Sequence, residues 1–208
     1  MNNTNSNPGT TITSRIRINI EDPLAAIKFG WDLDNRLRKR NGMVSNCPKV
    51  LLCIGTDRST GDCLGPLVGS KLSVLEQNVF YVYGTLEQPV HASNLQQKLE
   101  EIYCHHENPL IIAIDACLGN QENVGCINIG DGSLQPGAGV NKNLPSVGEI
   151  HITGVVNIGG FMEYLVLQNT RLNLVMRMAN LIVEGLLHTI NHCTTRELAE
   201  EASIAQDR

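Results

Sequence analysis

Two apolar runs, each leading to an isolated acid, constrain the fold of this chain more than any other feature. The first, Val50 to Ile54, is short, unbroken and bounded by turn residues, which is the pattern of a strand buried on both faces. Gly55 ends it. A polar loop follows, Thr56-Asp57-Arg58-Ser59-Thr60-Gly61, and Asp62-Cys63-Leu64-Gly65-Pro66 then opens a helix. Pro66 suits the first helical turn, where no backbone N–H is needed. The second run, P-L-I-I-A-I-D-A-C-L from Pro109 to Leu118, ends its apolar stretch at Asp115. Strands that are apolar throughout belong in the centre of a sheet covered by helices on both faces. Open α/β sheets place ligands beyond the carboxyl ends of their strands. Asp62 and Asp115 therefore form a candidate acid pair at one end of a sheet, and Val50 to Ile54 should lie beside and parallel to Leu110 to Ile114.

The remaining elements fill out an α/β order. Ile12, Ile16, Ile18 and Ile20 alternate with polar residues, as in a short edge strand. Asp22-Pro23 starts a helix with Asp22 as its cap, and Leu24, Ile27, Trp31, Asp34 and Arg38 fall along one face. The run Arg36, Arg38, Lys39, Arg40 suits the helix's negative C-terminal end and reads as a solvated terminus, with a basic docking patch as the alternative. Asn41-Gly42 stops this helix. Val79 to Tyr83 is a strand, a helix runs near Ser93 to His105, and Val124 to Ile129 is a further strand. Only eight residues separate Asp115 from Val124. A parallel crossover needs a dozen or more, so this strand should run antiparallel and make the sheet mixed. Residues 130–148 form a connection rich in Gly, Asn and Pro. Glu149 to Asn157 is the last strand. Helical spacing then extends from Phe161 to Ile190 with a break at Asn169-Thr170; Leu172, Val175, Ala179, Ile182, Leu186 and Ile190 mark its core face. The polar tail from Thr194 reads as a frayed helix. The expected fold is a single domain, a three-layer α/β/α arrangement around a mixed, mostly parallel sheet, with the first ten residues disordered.

Composition narrows the function classes. With 208 residues the chain can bury one sizeable core, and aromatics at 4% leave aliphatic side chains to fill it. A net charge of −5 disfavours nucleic-acid phosphates and leaves a basic peptide or protein partner open. No apolar run is long enough to span a bilayer, and there is no signal-peptide pattern, so no membrane partner and a cytoplasmic setting are expected. The seven cysteines are odd in number and include no C-x-x-C pair, which favours reduced thiols packed as small hydrophobes.

Five motifs carry a family resemblance: G-T-D-R-S-T-G-D-C-L-G-P, G-T-L-E-Q-P-V-H-A-S-N-L, A-I-D-A-C-L-G, P-G-A-G-V-N-K-N-L-P-S-V-G and I-T-G-V-V-N-I-G-G-F-M-E-Y. Across roughly residues 50–165 the chain resembles the YyaC family of sporulation proteins. More distantly, through D-x-L-G-P and the strand-ending I-D-A, it resembles the germination protease and the hydrogenase maturation proteases. The resemblance implies a phosphorylase/hydrolase-like sheet and a peptidase-like activity in the developing spore. It also implies Asp62 and Asp115 as the catalytic pair and a spore protein as substrate. A binding module that keeps the fold without turnover is the alternative reading.

Two close carboxyl groups cannot both ionise easily, so one stays protonated and can act as an acid while the other activates water. The competing structural roles are helix capping for Asp62 and capping or a turn for Asp115. Arg58 is a candidate to fix a substrate carbonyl or carboxylate, or else a surface arginine paired with Asp57; Thr60 lies in the same loop. That loop is not a P-loop, because five residues separate Gly55 from Gly61 and no Lys follows. Glu87 and His91 follow the strand Val79 to Tyr83, which should also end at the site edge. In the hydrogenase maturation proteases two acids and a histidine hold a metal, but His91 does not fall on that family's histidine motif, and a capping or surface role competes. No cofactor is implied, and no transition metal is expected to be required, because the acids have no nitrogen or sulfur partner at matching spacing; a metal-bound hydrolase is the third reading. Lys142 could meet an acidic substrate group, or simply belong to a flexible connection. His151 begins the last strand, about 20 Å from its carboxyl end, where Asn157 is the better placed to line a pocket. Cys63 and Cys117 flank the acids and read as packing residues.

Overall fold

The computed structural model describes residues 15–40, 47–136 and 144–206. The N-terminal ten residues, the Asn41-Gly42 helix stop and the loop carrying Lys142 lie outside the described residues. The elements run β1 (Arg15–Asn19), α1 (Ala25–Lys39), β2 (Lys49–Cys53), α2 (Leu64–Ser73), β3 (Phe80–Tyr83), α3 (Leu95–His105), β4 (Leu110–Gly119), a short 3-10 turn, β5 (Cys126–Asp131), β6 (Ile150–Ile158), α4 (Glu163–Gln168) and α5 (Leu172–Gln206).

One six-stranded sheet has the order β1-β5-β6-β4-β2-β3. β2 pairs in parallel with both β3 and β4, and β4 in parallel with β6. β5 is antiparallel to both of its neighbours, as the short connection from β4 requires. β2 is buried along its whole length. Alternate residues of the central strands feed two cores. Leu51, Cys53, Ile112 and Ile114 pack with α1, α2 and α5 on one face. Val50, Leu52, Ile111 and Ala113 pack with α3 on the other. The result is an α/β/α sandwich in which both sides of β2, and of β4 as far as Asp115, are buried.

Helix α1 buries Ala25, Phe29, Leu33 and Leu37, not the stripe through Leu24, Ile27 and Trp31, which are all exposed. Both stripes have helical spacing. The choice is made by α5, whose Gly185 leaves room for the Phe29 ring; a Cβ there would lie 2.2 Å from Phe29 Cδ1. Each of these large side chains contributes roughly 1.5–3 kcal/mol by leaving water. The helix also starts later than Asp22: Asp22 Oδ1 accepts the Leu24 N–H at 2.9 Å and forms a turn before the helix proper. At its basic end Arg38 and Lys39 are exposed, as expected of a solvated terminus, but Arg36 is not. Arg36 is 3% exposed and pairs with Asp32 (2.6 Å) and Asp131 (2.7 Å), and Arg40 also meets Asp131. The reversal of β5 is responsible, because it ends that strand against the C-terminus of α1.

The break at Asn169-Thr170 separates α4 from α5, and Val175, Ala179, Ile182, Leu186 and Ile190 are buried along α5. Leu172 is 56% exposed at the helix start, before α5 reaches the core. The tail from Thr194 continues α5 to Gln206.

Candidate active site

The two central strands end differently. β2 leaves the sheet after Cys53, whereas β4 runs on to Gly119 because β6 keeps pairing with it, Asp115 with Thr153 and Gly119 with Ile158. Asp115 is thus not a strand end, as the apolar pattern suggested. It is the first β4 residue beyond its last pairing with β2, where Cys53 faces Ile114. A notch opens there, and the loop after β2 folds back into it. Gly55 donates its N–H to Val90 O (2.8 Å), and Thr56 N–H meets Asp62 O (3.2 Å), closing the loop at its base. Gly55 has φ +140°, and a Cβ on it would lie 1.9 Å from the Asp62 carbonyl oxygen, so only glycine allows this closure. The far side of the loop is tied to α4 by Gly61 N–H donating to Leu167 O at 2.8 Å.

Asp62 and Asp115 both line a cavity of about 520 Å³, a volume ordinary for a small-molecule or peptide side-chain site. Asp115 is 7% exposed and accepts the Ala116 N–H at 2.8 Å. Burial pushes its carboxyl well above the ordinary carboxylate value, the neighbouring Asp62 pushes it further, and the Ala116 N–H only partly offsets them. Asp62 is less buried. Desolvation raises it too, while the Thr56 N–H and the nearby His91 ring draw it down. The pair is therefore unequal, with Asp115 holding its proton to higher pH than Asp62.

The walls come from distant parts of the chain. His91 follows β3, and its Nδ1 accepts the Ser93 N–H (3.3 Å). Leu134 to Pro136 and Leu144 belong to the connection after β5; Glu163, Tyr164 and Leu167 belong to α4. No Lys or Arg is present among the described lining residues. Cys117 also lines the cavity; burial pushes its thiol up, Thr153 partly opposes this, and Asp115 adds to it, which is the opposite of an activated nucleophile. The buried Cys63 thiol donates to Thr60 O, consistent with packing. Among the described residues no group of three or more His, Cys, Asp and Glu is arranged to hold a metal ion.

The structure brings together Asp62, Asp115 and His91 from the sequence candidates. It does not bring in Arg58, Thr60, Glu87 or Asn157. Arg58 and Glu87 are exposed, and Thr60 is partly buried and does not line the cavity. Asn157 is occupied structurally: its Nδ2 donates to Thr170 Oγ1 (3.2 Å), and its Oδ1 accepts the Ile158 N–H (2.8 Å). The register shift at Cys117/Leu118 leaves Val156 of β6 as the extra residue and sets Asn157 opposite Leu118, and Asn157 does not line the cavity. Lys142 lies outside the described residues. Ser59 and Glu163, with Gln135, Thr153 and Tyr164, are among the polar lining residues that sequence reasoning missed. Glu163 had a usable signal, an acid at a helix start just after the Gly159-Gly160 strand end. Ser59 had none beyond its place in the loop.

Fold and site together define an α/β protein with an acid-lined cavity at the carboxyl end of its sheet. The chain belongs to the family described as "Protein of unknown function (DUF1256)", which matches residues 17–185. It is also similar to the "Uncharacterized protein YyaC" of Bacillus subtilis (strain 168), with 58% identity over 165 residues, 79% of this chain and 78% of that one. The motif resemblance to YyaC thus extends over most of the chain. Among the described residues no helix is long and apolar enough to cross a membrane.

Proposed function

We propose that this chain is a peptidase-like hydrolase in which Asp62 and Asp115 act on a water molecule. The observation that supports it best is that two carboxyl groups from separate elements share one cavity with no described lysine or arginine beside them. The Asp62 carboxylate takes a proton from water as the water oxygen bonds to the substrate carbonyl carbon, and Asp115 gives its proton to the carbonyl oxygen. On collapse, the C–N bond breaks, Asp62 passes its proton to the leaving nitrogen, and a hydroxyl proton of the intermediate returns to Asp115. One water is consumed and both acids regain their starting forms. The spore setting and a spore-protein substrate rest on the motif resemblance to sporulation proteins.

A second reading keeps the cavity as a peptide-binding pocket without turnover. It is favoured by the apolar surface next to the cavity wall, where Phe161 is 91% and Tyr164 60% exposed. One experiment separates the two. Purified protein is incubated with a spore-protein extract and new peptide termini are sought by mass spectrometry. New termini made by the parent and absent with Asp62→Asn and Asp115→Asn support the hydrolase; no new termini, or cleavage by both variants, removes it.

A further inference from the structure

His91 lines the cavity from the turn that leads into α3. That turn is stitched to the start of the acid loop, because Val90 bridges Ile54 and accepts the Gly55 N–H at 2.8 Å. Almost every polar atom of His91 is spent on holding the turn. Its N–H donates to Asn94 Oδ1 (2.8 Å), and its carbonyl accepts the N–H groups of Asn94 (3.0 Å) and Leu95 (2.9 Å). Asn94 Nδ2 in turn donates to Pro89 O at 2.9 Å. The ring nitrogen Nδ1 accepts the Ser93 N–H at 3.3 Å. A backbone N–H can only donate, so Nδ1 carries no proton in this arrangement and the neutral ring holds its proton on Nε2. Nε2 has no hydrogen-bond partner among the described residues. Nor is it sealed: the buried side-chain polar atom left without a partner among the described residues is Ser59 Oγ, not His91 Nε2. The ring also lies near enough to Asp62 for a charge on it to act on that carboxyl. Beside two carboxyl groups that can trade protons, the site thus holds a neutral donor whose tautomer is set from behind.

We infer that His91 is a ligand-binding residue of this site, and that its Nε2–H donates to a backbone carbonyl oxygen of a bound peptide next to the Asp62–Asp115 pair. It does not compete with Asp62 as a base, because its one free nitrogen already carries the proton. This rests on the peptidase-like reading for the polypeptide nature of the ligand, and it adds to that reading the residue that registers the chain in the cavity.

The test uses full-length protein carrying Asp115→Asn, which stops turnover. NMR of this protein labelled at its histidine nitrogens, with the His91 signals identified by their loss in His91→Gln, should show Nδ1 bare and Nε2 protonated. N-acetylated, C-amidated hexapeptides of mixed sequence, free of Asp and Glu, are then equilibrated with it by dialysis and quantified by mass spectrometry. Their binding should move the Nε2 signal. Adding His91→Phe or His91→Asn should weaken binding about 3- to 10-fold, the worth of one hydrogen bond. His91→Gln should restore most of it, because the longer side chain carries an amide N–H to the place of Nε2. A merely structural role in the turn predicts the reverse order: His91→Asn, whose oxygen can replace Nδ1 as the acceptor for Ser93, would be the better substitute in both binding and Tm. A proton on Nδ1, rescue by Asn rather than Gln, undiminished binding by the Phe variant, binding only of peptides with a free C-terminal carboxylate, or no binding of any peptide overturns the inference. Binding that needs His or Gln at this position, in a protein whose parent makes no new termini, leaves the inference standing and removes the hydrolase reading.

Discussion

Two of the clusters of charge inside this molecule are built on opposite logic. At the junction of α1 and β5, Arg36, Arg40, Asp32 and Asp131 alternate in sign. Desolvation opposes the Asp131 charge, but Arg40 and Arg36 outweigh it and hold its carboxyl below the ordinary range; Arg36 is likewise held more firmly protonated despite its burial, by Asp32 and Asp131. At the carboxyl ends of β2 and β4, Asp62 and Asp115 share one sign, and both are pushed up. Neighbours of opposite sign thus yield a stabilising network in one place, and like-signed neighbours, with Asp115 more deeply buried than Asp131, yield a pair that the fold must tolerate in the other. A pair that costs stability and sits in a cavity is what a reactive site requires.

The comparison can be broken most directly at the acid pair. Asp62→Asn or Asp115→Asn should lower the rate of new-terminus formation by about 10²- to 10⁴-fold, the usual worth of a general acid or base; retention of full activity in either variant would return both acids to a structural role. The next largest effect belongs to the other cluster. Arg36→Ala leaves Asp131 and Asp32 short of their buried partner and should cost about 3–5 kcal/mol in urea unfolding, a loss that Asp115→Asn should not show.

Smaller effects give the sign of each cluster. Asp131→Asn should cost about 1–3 kcal/mol at pH 7, the range for charge-assisted hydrogen bonds. Because the folded pKa of Asp131 is depressed, its stabilisation is present above the ordinary value of 3.8 and is lost as pH falls through the lower folded value. The deficit of the variant should therefore shrink in acid. Asp115 has the reverse sign. Its folded pKa is raised, so the native state binds a proton that the unfolded chain releases, and stability is lost as pH rises from 3.8 toward the folded value. Asp115→Asn should melt higher than the parent at pH 7, by about 2–4 °C for each kcal/mol gained in a domain of this size, and the gain should vanish below pH 3.8. Thermal melts across that range would expose an acid pair that is not strained.

The sequence by itself determined the sheet centre. Val50 to Ile54 and Leu110 to Ile114 are apolar at every position, and no arrangement other than burial on both faces removes that much surface from water. It also determined that β5 runs backward, because eight residues cannot make a parallel crossover. The acids at the ends of those runs were visible for the same reason: a lone carboxylate after a wholly apolar strand stands out.

Tertiary structure decided the rest. α1 offers two stripes of helical spacing, and the room Gly185 leaves for the Phe29 ring favours the one through Phe29. Arg36 looks like a solvated helix end until β5 brings Asp131 to it. Asn157 has the right place on its strand but is claimed by Thr170 across the α4–α5 break. Ser59, one of several polar residues in its loop, becomes distinctive only when folding buries its hydroxyl without a partner. Each outcome depends on which distant surface arrives at a given side chain, and the spacing of residues along a chain encodes local period but not the identity of that neighbour.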